Sequence, residues 1–141
     1  MRIEKLMVKD VVTVPSNALV QESVKLMNKN RIGCLLVVDY GEVTGILTER
    51  DILDRLVEKG KNSKETVVSE IMTKHVMFGS PDMELVEATR LMFENKVKKL
   101  PIKEGGQLIG LVTLTDIARI TSVDQETMEL VQKLSNMRLI K

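Results

Sequence analysis

The sequence predicts an α/β (α+β) fold: two β-α-β-β-α repeats packed with pseudo-two-fold symmetry, plus a C-terminal helix. Three observations predict it. A heptapeptide pattern occurs twice, as Gly45-Ile46-Leu47-Thr48-Glu49-Arg50-Asp51 and as Gly110-Leu111-Val112-Thr113-Leu114-Thr115-Asp116. The two copies lie 65 positions apart (110 less 45), and the same shift matches other positions without a gap. Met7 falls on Met72, Val11 on Val76, Glu22 on Glu87, Leu26-Met27 on Leu91-Met92, Gly41 on Gly106 and Ile52 on Ile117. Each copy also alternates short apolar runs with stretches of helical spacing, which argues layered sheet and helix. A repeat of roughly 50 residues buries too little surface to stand alone, so the copies are expected to form one domain. The boundaries read from the sequence are 3–60 for the first repeat, 61–66 for a linker, 67–121 for the second repeat and 122–141 for the C-terminal helix.

In the first repeat, Ile3 to Met7 is a short lead-in. Val11-Val12-Thr13-Val14 is a brief β-rich run that Pro15 stops. Ser16-Asn17 offers N-cap chemistry. From Ala18 to Asn30, Val20, Val24, Leu26 and Met27 give the 3–4 spacing of an amphipathic helix. Cys34-Leu35-Leu36-Val37-Val38 is a continuous apolar run, as a buried strand requires. Asp39 to Glu42 is a turn, Val43 to Thr48 the returning strand, and Asp51 to Lys59 a helix with Ile52, Leu53, Leu56 and Val57 on its apolar side.

The second repeat follows the same order. Ser69 to Met72 echoes the lead-in and Val76-Met77-Phe78 is the short strand. Ser80-Pro81-Asp82 is the helix entry, with Pro at a favourable early position, and the helix runs over Met83–Asn95. Leu100-Pro101-Ile102, the Gly105-Gly106 turn and Leu108–Thr113 form a hairpin, and Asp116 begins the closing helix. In the tail, Met128, Val131, Leu134 and Met137 recur every three residues, a stripe that suits either the core or an interface.

Composition narrows the function. Hydrophobic residues make up 43% and charged residues 29%, as in a folded globular chain. The formal net charge of +1 draws the chain to neither nucleic acid nor a membrane surface. Aromatic residues are 2%, so stacking platforms for single strands are nearly absent. The single cysteine, Cys34, excludes an internal disulfide and fits a reducing compartment. With no apolar run long enough to span a membrane, a cytoplasmic protein is expected.

The repeated motif carries the chemistry. A helix start presents unpaired N–H groups and a partial positive charge, suited to phosphate. The nearby Thr hydroxyl and Asp carboxylate suit sugar hydroxyls. Asp at a helix start also serves as a plain cap, but two copies in register favour ligand binding.

The duplicated β-α-β-β-α order and the Gly-hydrophobic-x-Thr-x-x-Asp motif at Gly45–Asp51 and Gly110–Asp116 resemble a tandem pair of cystathionine-β-synthase (CBS) domains, a Bateman module. The resemblance covers Ile3 to about Ile120. It implies a regulatory module that binds adenine nucleotides or related adenosyl compounds in clefts between the repeats: AMP, ADP or ATP, or S-adenosylmethionine. It assigns the ribose to Asp51 with Thr48 in one cleft and to Asp116 with Thr113 in the other. Arg50 and Thr115 are the corresponding phosphate candidates. The base is assigned to the opposite repeat: Thr13, Val14, Ile32 and Gly33 for the Asp116 cleft, and Phe78, Gly79, Val97 and Lys98 for the Asp51 cleft. Lys98-Lys99, where the first repeat has Gly33-Cys34, make the Asp116 cleft the expected tighter site for a phosphorylated ligand. The family further implies a homodimer through the helices after the motifs, with Ile52, Leu53, Leu56, Ile117 and Ile120 as candidates.

No catalytic residues and no catalytic cofactor are expected. The chain has no Ser–His–Asp set, Cys–His pair, Cys-x-x-Cys or P-loop. Cys34 reads as core filler and His75, the one histidine, as a surface residue without a metal site. The alternative is a non-catalytic adaptor domain that binds no nucleotide and docks on a protein effector.

Overall fold

A computed structural model describes residues 1–120 and 124–137. Two compact units emerge, and they exchange lead-ins. One comprises Val11–Val76, and the other Met1–Asp10 with the chain from Met77 onward. The second repeat is therefore completed by the lead-in of the first, and the first repeat by the lead-in of the second.

The Val11–Val76 unit contains β1 (Thr13–Val14), α1 (Val20–Asn30), β2 (Cys34–Asp39), β3 (Glu42–Thr48) and α2 (Glu49–Ile52), which continues into a π-helical turn over Leu53–Val57. The sheet order is β1-β2-β3, with β1 parallel and β3 antiparallel to β2. Tyr40 and Gly41 both take positive φ, which makes the tight hairpin turn between β2 and β3. Leu35, Val37 and Leu47 from the sheet meet Val20 and Met27 of α1, together with Val68 and Ile71 of the lead-in. Met72 and Thr73 then run beside β3, where Ile46 and Thr73 exchange two backbone hydrogen bonds of 2.9 Å.

The other unit repeats this with α3 (Leu85–Glu94), β4 (Lys99–Glu104), β5 (Gln107–Thr113), α4 (Leu114–Ala118) and α5 (Gln125–Asn136). Ile3 of the lead-in is fully buried among Leu85, Met92, Leu100, Ile102 and Val112. Val8 pairs with Leu111 of β5, just as Thr73 pairs with Ile46.

Three expectations need correction. The Val76–Phe78 strand is absent; only Gly79 bridges to Ile102, where Val14 of the first repeat sits in β1. Glycine has poor strand propensity and contributes no side chain, and Leu100 and Ile102 fill the space a Cβ would need. The helices also start later than expected. Ser16 does not cap α1; its N–H donates to Asp39, whose carboxyl this bond and Thr44 hold below the ordinary carboxylate value. The first N–H groups of α1, from Val20 and Gln21, instead reach the carbonyls of Thr66 and Ser63, and Leu85 of α3 reaches that of Met1. Pro81 likewise precedes α3, in a turn whose carbonyl accepts from Glu4 N–H.

The tail stripe is the third. The expected helix over 122–141 lies partly outside the described residues, and α5 is its described part. Leu134 is buried and Val131 and Met137 pack on the same core, but Met128 is 58% exposed and Thr127 faces inward in its place. A strict three-residue step falls about 60° short of a turn each time, so Met128 and Met137 stand on opposite sides of an α-helix. Arg90 of α3 pairs with Glu126, and the Asp124 carboxylate caps α5 through Thr127 N–H and hydroxyl.

Ser23 in α1 is fully buried, and its hydroxyl has no hydrogen-bond partner among the described residues. The equivalent position in α3 is Ala88, also fully buried. An unsatisfied buried hydroxyl costs about 1–3 kcal/mol. Ser23→Ala is therefore expected to raise the chemical-denaturation midpoint, by about 1 kcal/mol of stability. An unchanged or lowered midpoint would mean that the hydroxyl has a partner after all.

Candidate functional site

The two motifs build the same local frame. In each, a strand ends at a threonine that becomes the N-cap of a short helix. Thr48 Oγ1 accepts from Asp51 N–H at 3.2 Å, and Thr113 Oγ1 accepts from Asp116 N–H at 3.2 Å. The aspartates are thus the third helical residues, not the helix starts, and α2 and α4 begin at Glu49 and Leu114. The loop before the central strand is tied to each helix start. Glu49 N–H donates to the Gly33 carbonyl at 3.0 Å, and Leu114 N–H to the Lys98 carbonyl at 2.8 Å. In the sheet register Cys34 stands opposite Thr48, and Lys99 opposite Thr113.

Around this common frame the two copies differ in charge and in occupancy. Asp51 is fully buried. Its Oδ2 accepts from Thr48 N–H at 3.0 Å, which closes a reciprocal capping box. Its Oδ1 accepts from the Thr73 hydroxyl at 3.1 Å and lies 3.9 Å from Arg55 Nη1. Arg55 also donates to the carbonyls of Ile71 and Met72, at 3.2 and 3.0 Å. Glu49 folds its carboxylate over Gly33, so closely that a Cβ there would collide with it. Arg50 is largely exposed and pairs with Asp54 at 3.5 Å, a surface contact worth little. The first motif therefore gathers the Asp51 and Glu49 carboxylates and the Arg55 guanidinium, with the exposed Arg50–Asp54 pair at its surface, and its central carboxylate is held by protein groups.

Asp116 is only half-buried. Among the described residues, neither a hydrogen bond nor an ion pair reaches its carboxylate. The positions equivalent to Thr73 and Arg55 are Val8 and Ile120, which carry no polar side-chain atom. Lys98 and Lys99, both half-buried, flank Thr113 and have no carboxylate partner among the described residues. Thr115 is exposed. The second motif therefore combines the Asp116 carboxylate and the Thr113 and Thr115 hydroxyls with a chain segment, Lys98-Lys99, that carries two positive charges and is tied by its backbone to the helix start. A threonine hydroxyl that accepts from a backbone N–H keeps its own proton to donate.

The remaining expected site residues fall in both units. Thr13 and Val14 form β1, while Ile32 and Gly33 form the loop before β2, and all four lie in the unit of Asp51. Ile32 lines a shallow apolar groove with Val24, Met27, Ile52 and Leu53. Phe78, Gly79 and Val97 lie in the unit of Asp116, and the Lys103 ammonium stands over the Phe78 ring at 3.8 Å from its centroid. Thr73, Arg55 and Val8 were not among the expected residues, and Ile120 was expected only at a dimer contact. The shift by 65 pairs Thr73 with Val8 and Arg55 with Ile120, so the signal lay in the unmatched positions of the repeat. Among the described residues no cluster of three or more His, Cys, Asp or Glu side chains is placed to hold a metal.

A duplicated α+β unit with a Thr-capped acidic motif in each copy defines a class of tandem-repeat modules, and comparison with known proteins places the chain within it. The family model for the CBS domain matches twice, over residues 3–58 and 68–122. The protein belongs to the CBS-domain family and carries a tandem pair. It is 36% identical over 116 residues to the CBS domain-containing protein YhcV of Bacillus subtilis, covering 82% of each chain. The structure of the CBS domain protein TA0289 of Thermoplasma acidophilum aligns at a TM-score of 0.84 with 28% identity, over 98% of this chain and 78% of that one. A hexameric CBS-CP12 protein from bloom-forming cyanobacteria aligns at 0.78 with 28% identity, over 86% and 72%. Some curated relatives are much longer, and the chain spans 21% of one from Arabidopsis thaliana. Tandem CBS pairs are generally regulatory or signal-transduction modules.

Proposed function

We propose that the protein is a non-catalytic, ligand-sensing regulatory module that binds an adenine nucleotide or related adenosyl compound through Asp116 and the groups around it. The observation that carries this reading is the half-buried Asp116 carboxylate, which no hydrogen bond or ion pair engages among the described residues, on the helix turn capped by Thr113. An ionised carboxylate is a strong acceptor for the two hydroxyls of a ribose. Lys98 and Lys99, on the segment bonded to the same helix start, are the cations within the motif's surroundings that suit a phosphate, and AMP, ADP and ATP carry both ribose and phosphate. Binding stabilises the folded chain by mass action, and a signal follows if two arrangements of the protein bind the ligand unequally.

Self-association is part of this reading. Leu53 and Val57 are 48% and 59% exposed on the turn after α2, beside the apolar groove at Ile32 and Ile52. A homodimer that buries them accounts for their exposure. Leu56 and Ile117, also expected at such a contact, are buried within their own units and contribute nothing to it. Among the described residues no helix is long and apolar enough to cross a membrane.

Calorimetric titration with AMP, ADP, ATP and S-adenosylmethionine tests the proposal. Asp116→Ala is expected to weaken binding about a hundredfold, from two charge-assisted bonds of roughly 1.5 kcal/mol each. Lys99→Ala is expected to cost more affinity for ATP than Arg50→Ala. Binding that survives Asp116→Ala unchanged would remove the residue from the site. Absence of heat with all four compounds would leave an adaptor domain.

A further inference from the structure

The first motif holds an arrangement that the second lacks. Asp51 is as buried as any core residue, and three groups of its own unit converge on its carboxylate: Thr48 N–H, the Thr73 hydroxyl and the Arg55 guanidinium. A ribose would present a carboxylate with hydroxyl donors of the same kind as Thr73. In the second motif the corresponding positions are Val8 and Ile120, and among the described residues no hydrogen bond or ion pair reaches the Asp116 carboxylate. Charge points the same way. Glu49 lies over Gly33 in the first copy, whereas Leu114 and Lys98 occupy those positions in the second.

We infer that the first motif is a latched site, in which the Thr73 hydroxyl and Arg55 occupy Asp51 in place of a ligand, so that each chain takes one equivalent of adenosyl compound, at Asp116. The inference rests on the adenosyl-binding reading and deepens it by fixing stoichiometry and naming the residues that set it. Thr73 belongs to the lead-in that runs beside β3, and Arg55 grips the same lead-in through the Ile71 and Met72 carbonyls. The latch thus ties α2 to the end of the segment joining the repeats. Opening the first motif requires releasing that segment from Asp51.

The test gives the first copy the residues of the second. Wild type, Thr73→Val/Arg55→Ile and the control Thr73→Ser, which keeps a hydroxyl, are titrated calorimetrically with AMP, ATP and S-adenosylmethionine in turn. Expected are one equivalent per chain for wild type and the control, and two for the double variant with at least one of the three compounds. Two equivalents on wild type would overturn the latch and leave the binding reading standing, as would one equivalent on both wild type and double variant. No binding to wild type but one equivalent on the double variant would support the latch and refute the assignment to Asp116. No binding to either would overturn both. Arg55 also supports the lead-in, so a cooperative thermal transition of the double variant is checked first. If that transition is lost, Thr73→Val alone is titrated, with a second equivalent again expected and its absence overturning the latch.

Discussion

Asp51→Ala is expected to cost about 2–4 kcal/mol of folding stability, and Asp116→Ala less than about 0.5 kcal/mol, although the two residues occupy the same place in the repeat. Removing the Asp51 carboxylate breaks the capping box at Thr48, a loss of about 1 kcal/mol. It also takes the acceptor from the half-buried Thr73 hydroxyl, at about 1–3 kcal/mol for an abandoned polar group, and one acceptor from Arg55, which keeps the Ile71 and Met72 carbonyls. Asp116 makes no such bonds among the described residues, and the Thr113 cap survives its replacement because the donor is the backbone N–H of residue 116. At roughly 3 °C per kcal/mol for a chain of this size, thermal midpoints measured without ligand should separate by about 5–10 °C. Equal losses would show that Asp116 is tied into its unit as firmly as Asp51, and the open carboxylate would disappear as the basis of the functional reading. Ligand affinity should move in the opposite order, with Asp116→Ala the more damaging. Such a crossing of stability and affinity separates a structural carboxylate from a binding one.

The sequence made the repeat legible because both copies obey one hydrophobic pattern in one register. Leu35, Val37 and Leu47 are core residues in the positions that Leu100, Ile102 and Val112 occupy in the second copy. The Thr-x-x-Asp spacing was readable as a helix start, though not which of the two residues is the cap; β-region φ and ψ at Thr48 and Thr113 decide that. Less visible were features that depend on chain segments far apart. The starts of α1 and α3 are set by carbonyls of Thr66 and Met1, and no local cap signal records them. The Val76–Phe78 run has the apolar character of a strand, but Gly79 reduces its pairing to one bridge. In the candidate site, Thr48, Asp51, Thr113 and Asp116 were legible from the motif, and Lys98-Lys99 from the family resemblance. Thr73 and Arg55 were not, because the latch is a tertiary contact between a helix and a lead-in 16 to 22 positions away, and its only trace is two positions that fail to match across the repeat.

The motif glycines carry the other large expected effect. Gly45→Ala is expected to destabilise by about 2–4 kcal/mol and Gly110→Ala by somewhat less. Neither glycine is needed for a left-handed backbone; each is needed because a lead-in crosses directly over it. A Cβ on Gly45 would lie 2.6 Å from Met72 Sδ and 2.9 Å from the Thr73 carbonyl oxygen. On Gly110 it would lie 2.7 Å from Met7 Sδ and 3.1 Å from the Val8 carbonyl oxygen. A methionine can swing aside, since its side chain is flexible. A carbonyl cannot, because Thr73 exchanges two hydrogen bonds with Ile46, and Val8 two with Leu111. Overpacking of about 1–3 kcal/mol, plus weakening of those bonds at about 1 kcal/mol each, outweighs the gain of under about 1 kcal/mol from a stiffer unfolded chain. The closer carbonyl makes Gly45 the worse site. Chemical denaturation of the two single variants checks the order, and Met7→Ala combined with Gly110→Ala checks the cause. If steric crowding by the thioether is responsible, the double variant is more stable than the two separate losses predict, by about 1 kcal/mol of coupling. Strictly additive losses would mean that the thioether swings aside and that the Val8 carbonyl, held by its two bonds with Leu111, alone crowds the added Cβ.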